Sequence, residues 1–386
     1  MNGNTLTLVS RRRVLGAGAL AAAAALAAGP ASLAAGAQND SFSFLLLGDL
    51  HFDRLEHHDM EWLKREKPND VRQVENYSRI TREVTPALFA ELRARVRSER
   101  DTAFALHIGD FVEGLAGTPE LARVHCKDAV AFLRDAKLER PFLFCKGNHD
   151  VTGPGSVEAF NEVLLPYLAG EAGQKLTSAS FAYRRGPALF AFLDAYRPVE
   201  AELEWLEKTL AARGDARHVF VVVHPPLVPY GARSNWHLLA KPADSARRER
   251  LMDLLGEHRA LVLCGHLHKY GTVVRSTKKG PFVQVATLSV LPGPDLKPKN
   301  EVEGVKQYGP DLVRLEPEFS PQTETERRAL LAAEAPHIRH YEYADLPGYG
   351  RVTVRPEDVT LDLYVGLGKK HYRTLSLTRL LTAAGG

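Results

Sequence analysis

The sequence of 386 residues predicts an α/β fold whose mainly parallel β-sheet carries polar side chains at one edge. The first observation is a set of five apolar runs of four or five residues, typical of strands that are buried on both faces. The second is that stretches with apolar residues at helical spacing lie between or beside these runs, as in βαβ units. The third is that each run ends in a polar block, and ligands in open α/β sheets gather beyond the carboxyl ends of strands.

The five predicted strands and their polar blocks alternate along the chain. The strands are Phe44–Leu47, Phe104–Ile108, Pro141–Cys145, Val219–Val223 and Leu261–Cys264. The blocks are Gly-Asp-Leu-His at 48–51, Gly-Asp at 109–110, Gly-Asn-His-Asp at 147–150, His224, and Gly-His-Leu-His at 265–268. Glycine and aspartate are common in turns, but turns do not account for a histidine in four of these blocks. Asp, His and Asn side chains without a cysteine ligand favour two divalent or trivalent ions, Fe, Mn or Zn.

Four helices and two hairpins are predicted around these strands. The helices, placed by apolar residues at helical spacing, are Ile80–Val96, Leu121–Ala136, Glu202–Ala211 and Ala246–Leu255. The hairpins pair Phe181–Arg184 with Ala188–Leu193, and Gly271–Arg275 with Phe282–Ala286. Three short strands of an accessory sheet edge are predicted at Arg351–Val354, Val359–Val365 and His371–Leu377.

In two segments the apolar residues do not recur with the spacing of a helix or of a strand. Residues Asp53–Tyr77 are highly charged and form a long insertion after the first polar block. We expect His57, His58 and the charges of this insertion on a solvated surface, and a place in the rim of the site is the alternative. Pro292–Gly309 is rich in proline, lysine and glycine, which predicts a surface loop.

The five blocks, in this order, resemble the signature of the calcineurin-like metallophosphoesterase superfamily over about residues 43–290. The resemblance implies a four-layer αββα sandwich of two mixed β-sheets, the metallo-dependent phosphatase fold. It also implies a dinuclear metal centre, with Asp110 bridging both ions. The same resemblance assigns the other ligands, with Asp49, His51 and His268 on the first ion and Asn148, His224 and His266 on the second.

The resemblance implies catalytic roles for two further residues. His149 would stand over the phosphate, stabilise developing charge and protonate the leaving oxygen. Glu113 stands where the phosphoprotein-phosphatase branch has an aspartate, and is a candidate to orient His149; an exposed loop acid is the alternative. Asp150 is expected to hold its loop instead of reacting.

The implied activity is hydrolysis of phosphate mono- or diesters by a metal-bound hydroxide, without a covalent intermediate. A specific cyclic-nucleotide phosphodiesterase and a non-catalytic metal-binding scaffold on the same fold are the alternatives. The Gly-Asp-Leu-His block resembles phosphodiesterase-like branches, and no tyrosine near Asp110 supports a purple acid phosphatase. Gly114 follows Glu113 where the phosphoprotein phosphatases have an arginine, which argues against a protein phosphatase.

The N-terminus resembles a twin-arginine export signal. Arg11, Arg12 and Arg13 precede an alanine-rich stretch, and Ala35-Gly36-Ala37 is a small-x-small cleavage motif. We expect cleavage before Gln38 and a periplasmic or secreted protein; an uncleaved membrane anchor is the alternative. The predicted organisation is an export signal at 1–37, a metallophosphoesterase domain at 38–300, and a β-rich extension packed on the core at 301–386.

Charge and composition narrow the classes of partner. Removal of residues 1–37 changes the formal charge from +3 to 0, and no basic run with interleaved aromatic residues indicates nucleic-acid binding. No other stretch approaches the ~20 apolar residues that span a bilayer, so we expect no stable membrane span after cleavage. The expected partner is a small phosphate ester, and the sequence leaves the oligomeric state open. Cys126, Cys145 and Cys264 do not predict a disulfide framework.

Overall fold

Two mixed β-sheets pack face to face in the computed structural model, which describes residues 41–383. The first sheet has the order β14-β13-β12-β1-β2-β3, formed by β1 Phe42–Leu47, β2 Thr102–His107, β3 Phe142–Phe144, β12 Gly348–Val354, β13 Val359–Val365 and β14 Arg373–Ser376. The second has the order β10-β11-β8-β9-β7-β6-β5-β4, formed by β4 Phe181–Arg185, β5 Ala188–Phe192, β6 His218–Val222, β7 Leu261–Cys264, β8 Tyr270–Thr277, β9 Gly280–Ala286, β10 Lys299–Glu303 and β11 Ile338–Asp345.

Helices surround the two sheets. They are α1 Met60–Glu66, α2 Val71–Glu83, α3 Thr85–Ser98, α4 Pro119–Ala136, α5 Ser156–Ala159, α6 Leu165–Ala172, α7 Val199–Ala211, α8 Ser245–Glu257, α9 Glu324–Glu334 and α10 Leu377–Ala383. Apolar residues of α3 and α4 pack with the first sheet, and those of α7 and α8 pack with the second. The predicted αββα sandwich is therefore confirmed.

Four phenylalanines fix the spacing between the sheets. The Phe44 and Phe104 rings of the first sheet stack at 5.0 Å, and each meets the Phe190 ring of the second sheet edge-on at 5.4 Å. Phe220 stacks on Phe190 at 4.5 Å. Because side chains alternate along a strand, Val219 and Val221 on either side of Phe220 pack into the outer core below the helices.

The carboxyl ends of the motif-bearing strands meet at one edge of the sandwich. Strands β1, β2 and β3 are parallel neighbours in the first sheet, and β6 and β7 are parallel neighbours in the second. Both predicted hairpins are confirmed as the antiparallel pairs β4–β5 and β8–β9. The strand β12 pairs with β1 from Phe42 to Leu46, so C-terminal residues complete the sheet that carries Asp49.

Three expectations are wrong in detail. The predicted helix Ile80–Val96 is interrupted at Val84, because Pro86 has no N–H to donate and would clash with the carbonyl four residues earlier. Within the predicted loop Pro292–Gly309, residues Lys299–Glu303 form the edge strand β10, whose exposed side chains give no apolar alternation. His57 and His58 are buried, with 0% and 7% exposure, because the insertion folds back against α4.

The predicted export signal lies outside the described residues. Within residues 41–383, no helix combines the length and apolarity needed to cross a bilayer. All three cysteines are buried and unpaired.

Substitution of Leu361 tests how far the C-terminal strands belong to the core. Leu361 in β13 is fully buried in the main hydrophobic core. Leu361→Ala is therefore expected to lower the free energy of unfolding by about 2–5 kcal/mol. Thr360→Ala, on the opposite and partly exposed face, is the control and should change it by about 0.5 kcal/mol or less. Urea unfolding measures both variants, and equal small changes would show that β13 contributes little to the core.

Candidate metal centre

Backbone hydrogen bonds join four of the five polar blocks in two pairs. The amides of Asp49 and His51 donate to the carbonyls of Gly109 (3.3 Å) and Asp110 (3.0 Å), which joins the loops after β1 and β2. The amide of Gly265 donates to the carbonyl of His224 (2.9 Å), which joins the loops after β6 and β7. The sheets thus present the blocks as two hydrogen-bonded pairs that face each other across the sandwich edge.

Side chains from these blocks converge on two positions that share Asp110. The first metal position is the cluster of Asp49, His51, Asp110 and His268, whose donor atoms lie within 4.8 Å of one another. The second metal position is the cluster of Asp110, His224 and His266, together with Asn148, whose amide oxygen lies 3.1 Å from Nε2 of His224. All seven predicted ligands are therefore brought together, in the two groups that the family resemblance implied.

The donor atoms face one another in a way that only a cation or a proton makes favourable. Nδ1 of His224 donates to the carbonyl of Ile108 (2.8 Å), which leaves the lone pair of Nε2 facing a carboxylate oxygen of Asp110 at 2.9 Å. Nδ1 of His51 lies 2.6 Å from Glu113, and its Nε2 faces Nε2 of His268 at 2.9 Å. Convergence of lone pairs is repulsive without a positive charge between them, so these residues fit bound metal ions.

The pKa values of His224 and Asp110 also show that positive charge is favoured in the cluster. Burial alone lowers the pKa of His224, but the Asp110 carboxylate raises it to about 9. Burial opposes ionisation of Asp110, yet His224 and His149 hold its pKa well below the usual range. Burial keeps the pKa of His51 and His268 well below that of free histidine, so both are neutral, as a metal ligand must be.

The backbone is strained where it delivers the ligands. Five of the seven candidates have positive φ angles, namely Asp49 (47°), His51 (46°), Asp110 (54°), His266 (73°) and His268 (53°). Left-handed backbone at a residue other than glycine costs of order 1–3 kcal/mol and is concentrated at functional sites. The strained residues all lie at one edge of the sandwich, where their backbone conformation directs the ligand side chains toward the metal positions.

Two glycines of the polar blocks lie so close to a ligand side chain that no larger residue would fit. A Cβ atom on Gly109, whose φ is +92°, would lie 2.5 Å from Nδ1 of His224. A Cβ atom on Gly265 would lie 2.4 Å from a carboxylate oxygen of Asp49. Each glycine therefore makes room for a ligand that comes from the opposite sheet.

Glu113 is buried and lies between two histidines. Its carboxylate is 2.6 Å from Nδ1 of His51 and 3.4 Å from Nδ1 of His149, so its shortest contact is with His51. Nδ1 of His149 donates to the backbone carbonyl of Glu113 at 2.8 Å. Full burial excludes the exposed loop acid that was the alternative for Glu113. Burial also raises the pKa of the Glu113 carboxyl to about 7.

His149 is held at the open side of the centre. Its side chain is 19% exposed, whereas those of His51 and His224 are fully buried. Burial by itself lowers the pKa of His149, but the carboxylates of Glu113 and Asp110 raise it to about 9. Asp150 accepts hydrogen bonds from the amides of Val112 (3.0 Å) and Gly147 (2.7 Å), so it ties two loops together.

The insertion supplies contacts that sequence reasoning missed. Tyr77 stacks on the His51 ring with 4.4 Å between centroids, and its hydroxyl lies 3.3 Å from Nδ1 of His268. Gln73 donates to the free carboxylate oxygen of Glu113 at 2.8 Å. The spacing of Gln73, Tyr77 and Thr81, four residues apart on one helical face, was the available signal, and the surrounding charges obscured it.

Residues 42–270 match the family model described as calcineurin-like phosphoesterase. Among curated protein sequences, none matches the chain.

Among solved structures, a dimetal phosphatase from Danio rerio is 13% identical, with a TM-score of 0.51 over 87% of this chain and 98% of that chain. A purple acid phosphatase from yellow lupin (Lupinus luteus) seeds is 12% identical, with a TM-score of 0.49 over 88% of this chain. The match spans only 54% of the lupin chain. PhoD is 14% identical, with a TM-score of 0.49 over 87% of this chain and 68% of that chain. At these identities the likeness concerns the fold alone.

Substitution of Asp110 tests the shared position. Asp110→Asn removes the charge that both groups of donors share, so we expect loss of at least the second metal and a fall in turnover of several orders of magnitude. Asp128→Asn is the control, because Asp128 also contacts a histidine, His57, but lies outside the centre. Metal content after dialysis checks the prediction, and two retained ions with near-native activity would contradict it.

Proposed function

The chain belongs to the calcineurin-like phosphoesterase family, and we propose that it hydrolyses phosphate mono- or diesters at a centre of two metal ions, Fe, Mn or Zn. The observation that carries this proposal is the convergence of donor atoms from five strand ends on two positions that share Asp110. Two bound cations would clamp the phosphoryl group and lower the pKa of a water molecule.

The charges of the ligands suit an anionic substrate. Asp49 and Asp110 are the two carboxylates among the seven candidates. The other five, which are four imidazoles and the Asn148 amide, are neutral when they coordinate a metal. Two divalent ions would therefore leave the centre with a net positive charge. A phosphate ester, which is an anion, is attracted to such a site.

His149 is suited to act as a general acid. Its Nδ1 is occupied by the Glu113 carbonyl, so Nε2 is the atom available to a substrate. Burial lowers the pKa of His149, but the carboxylates of Glu113 and Asp110 raise it above the ordinary value for histidine, which favours the protonated ring. The imidazolium would stabilise charge on the phosphoryl oxygens and transfer a proton to the leaving oxygen.

A cleft beside His268 has room for the organic part of an ester. It has a volume of about 490 Å³ and is lined by apolar residues such as Leu288 and Val290 and by charged residues of both signs, among them Lys297 and Asp295. This volume lies within the range of small-molecule sites. The adjoining cleft therefore supports a small phosphate ester as the substrate.

A substrate panel tests the proposed function against its alternatives. The purified protein is given Mn, Fe or Zn and assayed with p-nitrophenyl phosphate, bis-p-nitrophenyl phosphate and cyclic nucleotides. Bound metal with hydrolysis of simple esters supports the proposal, and hydrolysis of cyclic nucleotides alone supports a specific phosphodiesterase. An intact fold that binds metal and hydrolyses none of them supports the scaffold. The complete set of ligands and the partly exposed His149 favour the enzyme.

Substitution of His149 separates catalysis from metal binding. His149→Ala should leave both metals bound and lower turnover by roughly 10²–10⁴-fold, because a general acid is lost while the candidate ligands remain. The fall should be smaller for p-nitrophenyl esters, whose leaving group needs no proton, than for alkyl esters. His371→Ala, at an exposed histidine away from the centre, is the control. Equal falls on both classes of ester would argue against proton donation.

We also propose that the chain is exported through a twin-arginine signal to the periplasm or the medium. The support comes from the sequence, in which three arginines and no acidic residue precede the alanine-rich stretch. Export in the folded state would allow metals to be bound before the protein leaves the cytoplasm.

Lysine substitutions test this route. Arg11→Lys together with Arg12→Lys should leave an active enzyme in the cytoplasm, because a receptor recognises the arginine pair outside the catalytic domain. Arg13→Lys keeps that pair and is the control. Activity in each cell fraction is the measurement, and unchanged export of the double variant would indicate the general secretory route.

A further inference from the structure

The helix α2 touches the first metal position through one face. Gln73, Tyr77 and Thr81 follow one another at intervals of four residues, so their side chains lie on the same side of the helix. Thr81 accepts a hydrogen bond from the amide of Asp53 at 2.9 Å, two residues after His51. This face therefore lies against the loop that carries Asp49 and His51.

Gln73 acts on His51 through Glu113. The Gln73 amide donates to one carboxylate oxygen of Glu113 at 2.8 Å, and the other oxygen accepts from Nδ1 of His51 at 2.6 Å. With the proton held on Nδ1, the lone pair of Nε2 is turned toward the first metal position. Gln73 also restricts rotation of the carboxylate, so it fixes the hydrogen bond that determines the tautomer of His51.

Tyr77 acts on both histidines of the same position. Its ring stacks on the His51 ring with an interplanar angle of 19°, which limits tilting of the imidazole. Its hydroxyl lies 3.3 Å from Nδ1 of His268, on the side of the ring opposite to Nε2. Donation from Nδ1 to this hydroxyl would leave the lone pair of Nε2 for a metal.

The second metal position has no such contacts with α2. Nδ1 of His224 donates to the carbonyl of Ile108 in the loop after β2. Nδ1 of His266 is buried and has no hydrogen-bond partner among the described residues. The insertion therefore contacts the histidines of the first metal position. It does not contact His224 or His266, the histidines of the second.

We propose that α2 orients the histidines of the first metal position, with Gln73 and Tyr77 as positioning residues that raise metal affinity there and not at the second position. The proposal rests on the proposed function in one respect, because it takes both positions to bind metal. Partners of this kind hold a ligand in its binding orientation, and their loss typically lowers metal affinity about 10- to 100-fold.

Titration of the metal-free protein with Mn²⁺ tests the proposal. In a His266→Ala background, which weakens the second position, Tyr77→Phe and Gln73→Met should each weaken Mn²⁺ binding about 10- to 100-fold. In a His51→Ala background, which weakens the first position, the same changes should leave Mn²⁺ binding unaltered. Free Mn²⁺ is measured by electron paramagnetic resonance, which is independent of activity.

A matched control separates positioning from folding. Tyr349→Phe removes another buried hydroxyl from a residue of the first sheet, one that accepts from Arg95, and should change Mn²⁺ binding in neither background. Losses of affinity in both backgrounds, or in neither, would overturn the proposal. A parent protein that binds two Mn²⁺ ions but hydrolyses neither phosphate monoesters nor phosphate diesters would overturn the proposed function alone, since the affinity comparison is unaffected.

Discussion

The structure of the centre depends on one buried carboxylate. One oxygen of Asp110 accepts a hydrogen bond from the amide of His149 at 2.8 Å. The other lies 2.9 Å from Nε2 of His224 and 3.8 Å from Nε2 of His51. A fully buried anion surrounded by ring lone pairs is unfavourable unless positive charge is placed beside it. The loops after β1, β2, β3 and β6 are therefore arranged around a site that attracts cations.

This arrangement requires both sheets. Ligands of the first metal position come from loops after β1, β2 and β7, so neither sheet completes even one position alone. The stacked rings of Phe44, Phe104, Phe190 and Phe220 fix the distance between the sheets, and with it the distance between ligands. Rigid packing of this kind keeps the strained backbone of the blocks from relaxing.

The insertion illustrates how a charged segment contributes to a buried site. Most of its charges face solvent, yet His57 stacks on His125 of α4 at 4.5 Å, and His58 lies 2.6 Å from the Asp53 carboxylate. The first contact attaches the insertion to α4. The second holds the Asp53 carboxylate, which also accepts a hydrogen bond from Ser78 of α2 at 2.6 Å. A family fold can thus acquire additional contacts to a metal position from a segment outside its motifs.

The sequence by itself determined the five motif-bearing strands, the order of their polar blocks and both hairpins, because apolar runs and turn residues are local properties. The family resemblance that those blocks carry identified the residues that converge. The sequence did not reveal the edge strand Lys299–Glu303 or the burial of His57, since each depends on a neighbour distant in the chain. The break at Val84 is different, because its cause, Pro86, is local and was readable from the sequence. Only the tertiary structure decided that the short contact of Glu113 is with His51, and that Tyr77 reaches His268, which is 191 residues away. The physical reason is that strand ends follow from local hydrophobic pattern, whereas the partner of a buried polar group is set by whichever donor or acceptor the packing brings within hydrogen-bond distance.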